Sequence, residues 1–309
     1  MKSKDFLTIS DVSIEEFEGL LDKADEIKAH PEQYRTALAG QTLAMIFQKP
    51  STRTRVSFEV GIWQLGGYAL YLSGTDIQIG RGETIADTAR VLSRYCDGIM
   101  ARVFGHQDVV DLGRYATVPV INGLSDLTHP CQAAADYMTL REKRGRNVAG
   151  LKLVYVGDGN NVAHSLILAG AKLGVNVVIA CPEGYRPKAE IIERALPDAK
   201  KRGSTIEVTS RPEDACQGAD VIYTDVFTSM GQEKEKQERA KAFQGYMVSM
   251  EMLRRAKPEC IFMHCLPAHR GEEVEAAVAD SPQSVIFDEA ENRMHAQKAI
   301  MVELMGKRK

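Results

Sequence analysis

Short apolar runs that end in polar turns and then give way to helical periodicity recur along this chain. That alternation restricts it to parallel-sheet α/β architectures. The clearest instance is Thr42-Leu43-Ala44-Met45-Ile46-Phe47, then Lys49-Pro50-Ser51-Thr52-Arg53-Thr54-Arg55, then Val56, Phe58, Val60, Ile62, Trp63 and Leu65 at helical spacing before Gly66-Gly67. Ser51 or Thr52 is the expected N-cap. Free N–H groups at a helix N-terminus with guanidinium groups beside them make an anion site, and the anion expected is a phosphate.

The first half of the chain reads as a helix over Ser13–Lys28 with a Ser13/Glu16 capping box, a strand near 42–47, a strand near Tyr68–Leu72 and a polar glycine-punctuated loop from Ser73 to Glu83. A helix Thr84–Tyr95, a strand Gly98–Arg102, a helix Asp108–Ala116 and a strand Val118–Asn122 follow. Asp126-Leu127-Thr128-His129-Pro130-Cys131-Gln132 opens a long helix to about Arg141. The charged run Arg141–Asn147 is taken as a domain boundary that buries nothing. The second half begins with Lys152-Leu153-Val154-Tyr155-Val156-Gly157-Asp158-Gly159, a helix Val162–Leu173 and a strand Asn176–Ala180. Strands are expected near Thr205–Thr209, Val221–Asp225, Ile261–Met263 and Val285–Phe287, making a doubly wound parallel sheet. A last helix, about Asn292 to Met305, is expected to fold back on the first domain.

With 309 residues, two domains are expected. A net charge of −3 and a pI of about 6.2 argue against bulk nucleic-acid binding. No apolar run approaches bilayer-spanning length. Six cysteines (96, 131, 181, 216, 260 and 265) show no C-x-x-C spacing, which fits free thiols in a reducing cytoplasm.

Three constellations sit where strands end. Gly157-Asp158-Gly159 suggests a dinucleotide turn, but the third glycine position is Val162, which would crowd helix–strand packing. A switch point at which Asn161 faces another kind of ligand is the better reading. His264-Cys265-Leu266-Pro267 suggests zinc, but adjacent His264 and Cys265 should point to opposite faces of an extended chain, and no fourth ligand is near. Asp225 ends a strand and can hold a cationic amine, or simply cap the next turn. The charged stretch Gln232–Lys241 after it is expected to be a solvated or mobile segment, a plausible lid.

Taken together, Ser51-Thr52-Arg53-Thr54-Arg55, His129-Pro130-Cys131-Gln132, Asp225 with Ser229-Met230-Gly231, and His264-Cys265-Leu266-Pro267 resemble the ornithine carbamoyltransferases, in the same order and over essentially the whole chain. The resemblance implies an α/β chain of two doubly wound parallel-sheet domains. Residues 1–142, completed by 290–309, would bind carbamoyl phosphate, and 148–289 would bind L-ornithine. It implies carbamoyl transfer to the ornithine side-chain amine in arginine biosynthesis, with no cofactor and no metal, in a homotrimer or a multiple of trimers. It places phosphate on Ser51, Thr52, Arg53 and Thr54 with Arg102 and Arg293, and sends Gln78 to a neighbouring subunit's site. His129 and Gln132 would hold the carbamoyl oxygen and amide. Asn161, Asp225, Ser229 and Met230 would hold the ornithine backbone groups, with Cys265 and the Leu266 carbonyl near the reacting amine. No covalent intermediate is implied, and nucleic-acid and membrane partners are not expected.

Overall fold

A computed structural model describes residues 1–75, 82–228 and 233–306. Gln78, Ser229 and Met230 lie outside these residues. The chain divides into two compact units, Met1–Met138 with Asn292–Lys309, and Thr139–Glu291.

The first unit holds strands β1 (Thr42–Phe47), β2 (Tyr68–Ser73), β3 (Gly98–Arg102) and β4 (Val120–Leu124) in the order β2-β1-β3-β4, all parallel. Five of the six β1 residues are buried, as a central strand covered on both faces requires. Helices α1 (Ile14–Ala29), α2 (Thr52–Gln64), α3 (Ile85–Tyr95), α4 (His106–Tyr115) and α5 (Pro130–Arg144) accompany the sheet. The Ser13/Glu16 capping box forms at α1.

The second unit holds β5 (Lys152–Val156), β6 (Asn176–Ala180), β7 (Ile206–Thr209), β8 (Val221–Thr224) and β9 (Ile261–His264), ordered β7-β6-β5-β8-β9 and again all parallel. Helix α6 (Asn161–Leu173) follows β5 and α7 (Ala189–Arg202) follows β6. Then come α8 (Pro212–Cys216), α9 (Lys236–Ala242), α10 (Met250–Arg255), α11 (Ala276–Ala279) and α12 (Ile286–Met305). In each sheet the strand order reverses beside the first strand, at β1/β3 and at β5/β8, and ligands of open parallel sheets bind at the carboxyl ends of strands at such points.

Three expectations are corrected. Val285–Phe287 is no strand: Ser284 makes one isolated bridge to Phe262, and α12 begins at Ile286. A short apolar run is ambiguous between buried strand and helix. Here Phe287 is 71% exposed, which a central parallel strand forbids, and Asp288 and Glu289 in the first turn suit a helix N-terminus. Nor does Arg141–Asn147 bury nothing. Arg141 is buried, α5 runs on to Arg144, and Arg144 pairs with buried Asp220 at 3.2 Å. In the charged stretch before α10, residues 234–238, 240 and 241 are exposed as expected, and one residue departs from that. Arg239 is buried and donates to Asp158 at 2.7 Å and to the Phe227 carbonyl at 2.9 Å.

The last helix does return to the first unit. The Lys298 ammonium donates to Gln64 at 2.9 Å, the N-terminal ammonium pairs with Glu303 at 2.7 Å, and Met301 lies against Gly61. All six cysteines are buried and none is in a disulfide. Among the described residues no helix is long and apolar enough to cross a membrane.

Gly159 tests the packing of the β5–α6 turn. A Cβ there would meet the Pro187 nitrogen at 2.2 Å and the Arg186 carbonyl carbon at 2.5 Å, both backbone atoms. Gly19, inside α1, has nothing within 4 Å. In thermal melts Gly159→Ala should therefore lose roughly 1–3 kcal/mol or more. Gly19→Ala should gain up to about 1 kcal/mol.

Candidate active site

In the first unit, four chain segments deliver their polar groups beyond the strand ends. Ser51 caps α2: its Oγ accepts from the Thr54 N–H at 3.3 Å and donates to Thr54 Oγ1 at 3.1 Å. The fully buried Thr54 hydroxyl also accepts from Arg293 Nη2 of α12 at 2.9 Å, which ties that guanidinium to the start of α2. Thr52 is exposed, and Ser51 and Arg53 are half-buried.

Gln48 stitches the loop after β1 to the loop after β3. Its N–H donates to the Arg102 carbonyl at 2.9 Å, its Oε1 accepts from the Phe104 N–H at 2.8 Å, and its Nε2 donates to Asp108 at 3.0 Å. Arg102, with its side chain buried, sits where the β3–β4 register shifts. Within β4, buried Asn122 donates to the Leu7 carbonyl at 2.8 Å and to Thr128 Oγ1 at 3.2 Å. This fixes the turn that leads to His129, whose carbonyl accepts from the Gln132 and Ala133 N–H groups at the start of α5. Gln132 is buried and donates to Asp136 at 2.8 Å.

His129 carries the electrostatics of this unit. Burial holds its pKa well below the usual 6.5, and the positive charges of Arg293, Arg102 and Arg53 push it the same way. At neutral pH the ring is therefore an uncharged donor and acceptor inside a field of three fixed cations. Such a concentration of fixed positive charge suits an anion. Cys131 takes no part: its thiol donates to the Asn122 carbonyl at 3.3 Å, and burial pushes it up to about 12. Arg55, the other arginine of the Ser51–Arg55 motif, turns to the surface, where it pairs with Glu59 at 3.0 Å and stacks over Tyr71 at 3.8 Å.

In the second unit Asp225, buried at the end of β8, is the hub. Its Oδ1 accepts from the Cys265 thiol at 3.0 Å and from the Val226 N–H at 2.8 Å, and its Oδ2 accepts from Asn160 Nδ2 at 3.0 Å. Asn160, not singled out from the sequence, is also the N-cap of α6, its Oδ1 accepting from the Val162 and Ala163 N–H groups at 2.9 and 3.2 Å. An Asn just before a periodic apolar run is an N-cap signal that could have found it. Asn161 opens α6, half-buried. The N–H groups that a pyrophosphate would use are taken by Asn160, and the backbone of Arg186–Pro187 fills the space beside Gly159. The turn does not fit a dinucleotide.

The loop after β9 is held by two fully buried carboxylates that sequence reading missed, since they lie nine and twenty-five residues beyond His264. Glu289 accepts from the His264 N–H at 2.9 Å and from the Tyr223 hydroxyl at 3.1 Å. His264 Nδ1 accepts from the Leu266 N–H at 2.8 Å, so its Nε2 carries the proton and donates to Glu273 at 3.2 Å. These bonds hold Leu266 at φ 58°, a conformation that costs about 1–3 kcal/mol for a residue with a side chain.

The expected divergence of His264 and Cys265 is corrected. Ligand atoms of Asp225, His264 and Cys265 lie within 4.8 Å of one another. Both ring nitrogens of His264 are nonetheless engaged, so a metal would have to break the loop brace to bind there.

The chain matches two family models: "Aspartate/ornithine carbamoyltransferase, carbamoyl-P binding domain" over residues 4–142 and "Aspartate/ornithine carbamoyltransferase, Asp/Orn binding domain" over 149–304. It is 61% identical over 308 residues to an ornithine carbamoyltransferase of Thermococcus kodakarensis, covering 99% of this chain and 98% of that one. It is 58% identical to an anabolic ornithine carbamoyltransferase of Pyrococcus furiosus, covering 99% and 98%. A solved structure of ornithine carbamoyltransferase from Pyrococcus furiosus superposes with a TM-score of 0.95, at 58% identity, covering 99% of this chain and 98% of that one.

The depressed pKa of His129 has a consequence for stability. The unfolded chain binds a proton below about pH 6.5 and the folded chain does not, so this stabilisation is present above pH 6.5 and lost as pH falls. Between pH 7 and 5.5, urea denaturation should show the wild type losing about 1 kcal/mol more than His129→Gln. Equal losses would mean that His129 titrates normally in the folded chain.

With matched models over both halves and near full-length relatives, the chain belongs to the aspartate/ornithine carbamoyltransferase family.

Proposed function

We propose that this protein transfers the carbamoyl group of carbamoyl phosphate to the side-chain amine of L-ornithine, giving L-citrulline and phosphate, in the anabolic direction. The observation that carries this is the charge contrast between the two units. The first gathers Arg53, Arg102 and Arg293 about a neutral His129. The second gathers an amide and a thiol on the carboxylate of Asp225. The former suits a phosphate, the latter an ammonium. An aspartate acceptor would need cations where Asp225 stands, and the anabolic relative of Pyrococcus furiosus favours the biosynthetic direction.

In this reading Ser51, Thr52, Arg53 and Thr54 take the phosphate at the N-terminus of α2, with Arg102 and Arg293 beside them. His129 and Gln132 hold the carbamoyl oxygen and amide. Asn161 and Asp225 hold the ornithine backbone groups together with Ser229 and Met230. The Leu266 carbonyl and Cys265 lie by the reacting amine. The neutral amine attacks the carbonyl carbon, charge collects on the carbonyl oxygen, and phosphate leaves with the bond electrons while the proton shed by the amine nitrogen ends on the phosphate. Arg102 and His129 are donors for that charge, and loss of one such donor raises a barrier by about 3–4 kcal/mol. Holding two substrates in register lowers it by roughly 7–11 kcal/mol. Cys265 is a hydrogen-bond donor to Asp225, a role that needs no covalent intermediate.

Ornithine's side-chain amine resembles lysine, with a pKa of about 10.4, so at pH 7 only about one molecule in 2,500 is neutral, an offset near 4.6 kcal/mol. Citrulline formation should therefore rise about tenfold per pH unit in kcat/KM for ornithine between pH 7 and 9, with L-aspartate and putrescine inactive. A flat profile, or turnover with either alternative acceptor, contradicts the proposal. Arg102→Gln should lower kcat about 100- to 1,000-fold, whereas Cys265→Ser should keep measurable turnover.

The proposed assembly is a homotrimer or a multiple of it, with Gln78 reaching a neighbouring subunit's site, in a cytoplasmic setting that fits six reduced thiols. The edge strand β2 exposes Tyr68 and Leu70, and α3 exposes Val91 and Tyr95, apolar surface that subunit contact would cover. Light scattering on a sizing column should give three times the 34.1 kDa chain mass, or a multiple of that; a monomer contradicts the assembly.

A further inference from the structure

A cavity of about 550 Å³ in the first unit lies apart from the residues assigned above. It is lined by the end of α1, the turn after it, the last turn of α2 and one face of α12. Such a volume is ordinary for a small-molecule site.

Lys298 lines this cavity, with its side chain 98% buried. Its ammonium has three N–H donors and one acceptor among the described residues, Gln64 Oε1 at 2.9 Å. No carboxylate among the described residues pairs with it. Burial alone pulls its pKa down, with no opposing negative charge to hold it up. A buried cation without a counter-charge is unfavourable, and an anion in the cavity would relieve it. Lys28 and Arg35 also line the cavity, Lys28 donating to Asn292 Oδ1 at 2.8 Å and Arg35 paired with Glu32. Trp63 stands at its edge, 73% exposed, with Leu65, Ile27 and Met294 as apolar lining.

From the cavity, its buried lysine and the aromatic edge, we infer that this chain has a second binding site for a small organic anion, a carboxylate or phosphate head carried on a flat apolar body. The head meets Lys298 and the body lies against Trp63. This site is separate from the proposed phosphate cradle: α2, 13 residues and about 20 Å long, has Ser51–Thr54 at one end and Trp63 at the other.

Trp63 is the chain's single tryptophan and reports on the site directly. Benzoate and phenyl phosphate should each be titrated into the full-length protein while Trp63 fluorescence is followed, with benzyl alcohol as the neutral control. Saturable quenching by one or both anions is expected, and the one that binds identifies the head group. Lys298→Met should weaken it at least tenfold, Lys298→Arg should retain it, and Arg53→Ala should leave it unchanged. A thermal melt of Lys298→Met establishes that the variant is folded. The inference is overturned by the absence of a saturable response, by equal responses in wild type and Lys298→Met, or by equal quenching with benzyl alcohol. It is also overturned by a response lost in Arg53→Ala but kept in Lys298→Met, which would place the anion in the cradle and leave the proposed function standing.

Discussion

A neutral imidazole held among fixed positive charges is the interaction on which the first unit depends. Had His129 kept an ordinary pKa, it would add a partial fourth charge to Arg293, Arg102 and Arg53 and repel them. Buried as it is, it stays uncharged, and the three guanidiniums can gather about it. The rest of the unit serves that gathering. Gln48 joins the loops after β1 and β3, Asn122 sets the turn before His129, and Thr54 anchors Arg293 at the start of α2. Each is a short hydrogen bond between segments far apart in sequence, which ties together the elements that carry the charged cluster. Preorganised charge of this kind needs little reorganisation during reaction.

The second unit solves the opposite problem with the same topology. Its strand order also reverses beside the first strand, and its polar groups also lie beyond carboxyl ends. Here the centre is a buried carboxylate with three kinds of donor on it: a backbone N–H, an amide and a thiol. The loop after β9 is braced from below by Glu273 and Glu289 through His264, which keeps Leu266 in a left-handed conformation. The brace gives the histidine beside Cys265 a structural part: both of its ring nitrogens serve the loop.

Local signals made much of this legible in the sequence. Ser51 reads as an N-cap from its neighbours, the strands ending in Arg102 and just before Asp225 read from short apolar runs, and the structure places each where those runs end. What was illegible depended on distance. Glu273 and Glu289 are ordinary acidic residues until the fold buries them beside His264, and Arg239 looked like one charge in a solvated stretch until it met Asp158. Val285–Phe287 reads as a strand because three apolar residues carry no period; the acidic residues after them lie in the first turn of a helix that begins at Ile286. The alternation rule failed at His264-Cys265 because the chain leaves the extended conformation there, with Leu266 at positive φ.

The central claim, that His129 stays neutral among the arginines, is tested most directly by the ring-nitrogen chemical shifts of His129 as pH is lowered. The account predicts shifts of a neutral imidazole from pH 8 down to well below 6.5, in folded protein. A change to imidazolium with a midpoint near 6.5 would contradict it, and with it the electrostatic basis of the proposed anion site.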